Sequence, residues 1–87
     1  MRGVVAQVND GKVAAVSLMA GYTVIEVTDE HTVSEGDIVN GDLETIGHVR
    51  TLRNETTGQD IEVAIAQYCH SLAHARKLLF KGDQKPS

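Results

Sequence analysis

The densest group of reactive side chains is Tyr68-Cys69-His70, with His74 four positions beyond His70. On a helix, residues at that spacing share one face, so His70 and His74 could present two imidazoles to a metal ion. A structural zinc site needs a third and usually a fourth ligand, and only Cys69, His31, His48 or a carboxylate could supply them. No Glu stands between the two histidines to act as a base, so the metalloprotease pattern is absent. Two surface histidines at a helix start explain the spacing without a metal, and no cofactor is expected. Cys69 could be a nucleophile if a histidine and a helix N-terminus lowered its pKa. At the junction of a strand and a helix, however, a lone cysteine usually serves as a small buried hydrophobe.

Two charged groups could recognise a partner. Asp29, Glu30, Glu35, Asp37, Asp42 and Glu44 form an acidic stretch that lacks the ligand pattern of an EF-hand. It reads as a solvated turn region, with Glu35, Asp37, Asp42 and Glu44 offering an acidic docking face to a protein. His48, Arg50 and Arg53 lie on or beside one strand, and with Arg2, Lys12 and Tyr22 they are the residues from which a single-stranded RNA or DNA groove could be built. Alternation along that strand places Arg50 with His48 and turns Arg53 to the opposite face. Asn54-Glu55-Thr56 matches the glycosylation sequon but reads as a turn.

These groups must be carried by a small scaffold. The chain has 87 residues, a length that suits one domain with a modest core. Apolar residues make up 41% and aromatics 3%, so Val, Ile, Leu and Ala must fill the interior, a composition that favours a compact core over a ligand cavity. A net charge of −4 repels a phosphate backbone, so nucleic-acid binding would need a local basic patch. One cysteine allows no intrachain disulfide and fits a reducing compartment. No apolar run approaches the roughly 18 residues of a membrane span, and the N-terminal residues lack signal-peptide character. The expectation is a soluble, cytoplasmic protein.

Along the chain, Val4, Ala6 and Val8 alternate with Val5 and Gln7 up to Asn9-Asp10-Gly11, and Asp-Gly between two such runs signals a hairpin. The second run ends at Ala20-Gly21, and a third covers residues 22–27. The Gly-Asp pairs at 36–37 and 41–42 suggest a tight turn and a short bent strand. Another strand is expected at His48 to Arg53, and a last one where Ile61, Val63 and Ile65 alternate with Glu62, Ala64 and Ala66. From His70 the spacing becomes helical through Leu72, Ala75, Leu78 and Leu79, with Arg76, Lys77 and Lys81 near a stop at Gly82. Residues 1–82 then form one domain, and 83–87 a disordered tail.

The fold class expected is mainly β, a small antiparallel barrel of about five or six strands with one C-terminal α-helix. The Gly-Val-Val opening, the Asp-Gly hairpin and the Glu-Gly-Asp-Ile-Val lead into a strand resemble OB-type and SH3-like small barrels over most of residues 2–66. Such barrels occur in translation and RNA-binding proteins, but this chain lacks the surface aromatics of their binding members, and no functional residue is transferred. With no triad, metal cluster or phosphate-binding loop, the function expected is a non-catalytic protein-interaction module that can self-associate, through its acidic face or a free strand edge. An OB-like domain binding single-stranded nucleic acid is the alternative, and a metal or redox site at Cys69, His70 and His74 the third reading. Neither a membrane nor a small-molecule substrate is expected.

Overall fold

A computed structural model describes residues 1–79. In chain order the elements are β1 (Arg2–Asn9), β2 (Val13–Ser17), β3 (Tyr22–Val27), β4 (Ile38–Asn40), β5 (Val49–Asn54), β6 (Gln59–Cys69) and α1 (Leu72–Leu79). The six strands close a barrel in the order β1-β2-β3-β6-β5-β4, and every neighbouring pair is antiparallel. The expected small barrel with one C-terminal helix is therefore the fold, with six strands against the five of an OB barrel. Closure gives each strand a neighbour on both sides, although β4 pairs with β5 only at Val39–Asn54 and Asn40–Arg53.

The β1–β2 hairpin turns where Asp-Gly predicts it. Lys12 N–H donates to Asn9 O at 3.2 Å, and both Asp10 and Gly11 take positive φ, 61° and 72°, as the tight turns that match strand twist require. Two bulges, at Ala6 and Ala66, interrupt the ladders. Neither lies at the glycines where bends were expected. The first decides which face of β1 points inward: Gly3 and Val5 are buried before it while Val4 is 45% exposed, and beyond it Val8 packs on the core.

Among the described residues, the interior holds Val5, Ala14, Val16, Ile25, Val27, Val33, Val39, Leu43, Leu52, Ile61, Val63 and Ile65, with no aromatic ring. A second cluster lies outside the barrel wall, where Ala75 and Leu79 of α1 cover Ala15, Val24 and Cys69. Ala14, Ala15 and Val16 are consecutive and all fully buried because the barrel interior takes one face of β2 and the helix the other. Ala at position 75 lets the helix approach closely. The helix starts at Leu72, two residues later than its spacing suggested, because β6 runs on to Cys69 against Tyr22 of β3. Its expected end at Gly82 and the tail 83–87 lie outside the described residues.

Candidate functional site at the mouth of the barrel

At one end of the barrel the start of β1, the β2–β3 turn, the β4–β5 loop and the end of β6 surround a concavity of about 640 Å3. Its lining is mostly apolar: Met1, Leu18, Met19, Ala20, Leu43 and Ile46, with Tyr68. Arg2 and Glu44 supply the charge. Three of these apolar side chains face water, Met19 at 106%, Met1 at 52% and Ile46 at 52% exposure. This hollow was not expected from the composition, which suggested a compact protein without a cavity. It forms outside the packed interior, between loops that the strand patterns do not describe.

Hydrogen bonds hold the apolar groups in place. The β2–β3 turn is closed by Leu18 N–H donating to Gly21 O at 2.7 Å, and Tyr68 Oη donates to Ala20 O at 2.7 Å. Gly21 is required there, since a Cβ would collide with Tyr68 Oη and lie 2.7 Å from Cys69 O. Met19 thus projects from a braced turn. In the β4–β5 loop the Asp42 carboxylate accepts from the Thr45 hydroxyl (2.6 Å), Glu44 N–H (3.0 Å), Thr45 N–H (3.2 Å) and Arg50 Nε (3.2 Å). Those bonds, the Thr45 hydroxyl foremost, hold its pKa down to about 2. Leu43 is a buried plug beneath the loop, and Thr23 Oγ1 donates to its carbonyl at 3.1 Å.

Of the residues of the nucleic-acid alternative, Arg2 and Arg53 flank Asn40 in the β1–β4–β5 ladders, while Arg50 takes the other face of β5. Arg2 pairs with Glu55, Arg50 with Asp42 and Arg53 with Asp60, each at 3.2 Å. Lys12 Nζ donates to the carbonyls of Asp29 and His31 at 2.5 and 2.7 Å, which makes it a clamp on the loop after β3. Tyr22 is half-buried, packed against the cluster under α1. His48 is exposed in the loop before β5.

The acidic face is also divided. Asp37 is buried, its carboxylate accepting from Asn54 Nδ2 and Ser34 N–H, both at 3.0 Å. It is a structural group and leaves the proposed docking face. Asp42 is occupied inside its loop, as above, so Glu35 and Glu44 are the exposed members with no ion pair among the described residues. The sequon is a turn, with Asn54 Oδ1 accepting from Thr56 and Thr57 N–H at 3.1 and 3.2 Å.

At the strand-to-helix junction, Cys69 is buried and its pKa is raised by desolvation. His70 precedes the first residue of α1, so it and His74 do not share a helical face as the spacing suggested. Its ring instead packs edge-on to Tyr68, with centroids 5.3 Å apart. Among the described residues, the metal-type donors that converge are Asp29, Glu30 and His31, away from the His70 and His74 pair that the sequence put forward. Internal bonds account for it: Asp29 accepts from His31 and Glu62 N–H, both at 2.9 Å, and lies 3.0 Å from His31 Nδ1. This pairing lowers Asp29 to about 2 and raises His31.

No protein-family model, curated protein or solved structure matches the chain. Among the described residues no helix is long and apolar enough to cross a membrane.

Proposed function

We propose that the protein is a non-catalytic protein-interaction module that binds through the mouth of its barrel. The observation that carries this reading is Met19, fully exposed on a braced turn beside an apolar hollow whose rim also exposes Met1 and Ile46. A monomer gains nothing from holding a large apolar side chain in water, and grouped exposed apolar residues with a polar rim are the usual mark of a contact surface. Met suits that use because its unbranched, polarizable side chain adapts to the surface it meets. The docking surface moves in this reading from the acidic loops to the mouth, where Glu44 remains as a rim charge. The nucleic-acid alternative is less favoured because Arg50 and Arg53, its strand residues, each lie 3.2 Å from a carboxylate.

The test uses a photo-crosslinking residue at position 19 in living cells, with exposed Thr57 as the control position. A protein adduct specific to position 19 is expected. Once that pair is reconstituted from purified components, Ile46→Asp should weaken it on the order of tenfold or more. Failure to form an adduct from position 19, or a reconstituted pair indifferent to Ile46→Asp, would overturn the reading.

A further inference from the structure

Resting on the reading that the mouth is a contact surface, we infer that its occupant is a second copy of this chain. The two copies dock about a two-fold axis, each inserting Met19 into the groove of the other. A two-fold contact uses one patch twice, so the patch must carry both a projection and a recess. This one does. Met19 is 106% exposed, and it stands on the rim of a hollow of about 640 Å3 lined by Leu18, Leu43 and Ile46.

The charges on the rim have the same self-complementary character. Arg2 and Glu44 both line the hollow, yet they form no ion pair with each other. Arg2 reaches Glu55 through one terminal nitrogen while its side chain stays 64% exposed, and Glu44 has no ion-pair partner among the described residues. A two-fold arrangement sets Arg2 of one copy against Glu44 of the other. A strongly acidic or strongly basic partner would meet a like charge on one side of the rim, whereas a second copy meets an opposite charge on both.

Sedimentation equilibrium of the full chain over a wide concentration range tests the inference. A reversible monomer–dimer equilibrium is expected. Met19→Asp should raise the dissociation constant on the order of tenfold or more, without lowering the thermal midpoint of the monomer. Arg2→Glu and Glu44→Arg should each weaken the dimer, and the two together should restore it. A chain that stays monomeric at every concentration overturns the inference, as does a dimer insensitive to Met19→Asp or a double charge reversal that fails to restore it. The monomer result would leave the wider reading intact if position 19 still crosslinks to a different protein. Absence of both self-association and any adduct would end both.

Discussion

Asn54 and Asp37, 17 residues apart in sequence, meet inside the protein: Asn54 Nδ2 donates to Asp37 Oδ2 at 3.0 Å. Asn54 is fully buried and ends β5, and its Oδ1 organises the turn into β6. Asp37 precedes β4 and also accepts from Ser34 N–H. One polar pair therefore fixes both the β5–β6 turn and the start of the short strand that closes the barrel. Because β4 has only three residues, its own ladder bonds would hold it weakly.

Asn54→Ala should accordingly lower stability by about 2–3 kcal/mol, since it takes a donor from the buried Asp37 carboxylate and the acceptor from the turn N–H groups of Thr56 and Thr57. Urea unfolding should show a lower midpoint with an unchanged slope. A change under half a kcal/mol, roughly the size of a neutral surface substitution, would show that the pair is not structural.

Gly21→Ala should destabilise by about 1–3 kcal/mol, because the new methyl group must displace Tyr68 or the backbone at Cys69. It should also open the bond from Tyr68 Oη to Ala20 O, visible as a change in tyrosine fluorescence and as faster amide exchange at Leu18. Unchanged exchange there would mean that Tyr68 does not brace the turn.

The Asp29–His31 pair makes two pH-dependent contributions of opposite sense. Asp29 is lowered from 3.8 to about 2, so its contribution is present above pH 3.8 and is lost as pH falls towards 2. His31 is raised above 6.5, so its contribution is complete below pH 6.5 and fades as pH rises through the folded-state value. Asp29→Asn removes the cause of both shifts. The His31 imidazole signal, followed by NMR, should then titrate at lower pH than in the wild type. An unmoved midpoint would contradict the pairing.

Cys69 should resist a thiol reagent in the native protein and react only as fast as the α1 cover opens, because the thiol is buried under Ala75 and Leu79 and its pKa is raised. Fast labelling without unfolding would instead favour the redox reading of this junction.

Local chemistry that the backbone enforces was visible in the sequence. Asp10-Gly11 marked its hairpin because both residues need positive φ, and Ile61, Val63 and Ile65 marked the inner face of β6 because a two-residue period has one meaning beside a core. The bulges at Ala6 and Ala66 left no such mark, since alanine carries neither a turn preference nor a strong facial preference, and the inward face of β1 was hidden with them. The partners of the charged residues were hidden for a different reason. Asp37 and Asn54 look like surface residues until tertiary structure buries one against the other, and Arg2, Arg50 and Arg53 look like a basic set until each finds its carboxylate. The mouth was least legible of all, because Met1 precedes β1 and Met19 and Ile46 sit in connecting segments, where exposed apolar residues follow no period.

The most direct test of the mouth as the contact surface is an NMR dilution series on protein labelled at its methionine methyl groups. Met1 and Met19 are the only two methionines, and both line the hollow. Their signals should shift together as concentration rises, Met19 the more strongly, and Met19→Asp should abolish the shift at Met1. Methyl signals that stay fixed while the particle grows in size would place the contact elsewhere and contradict the account.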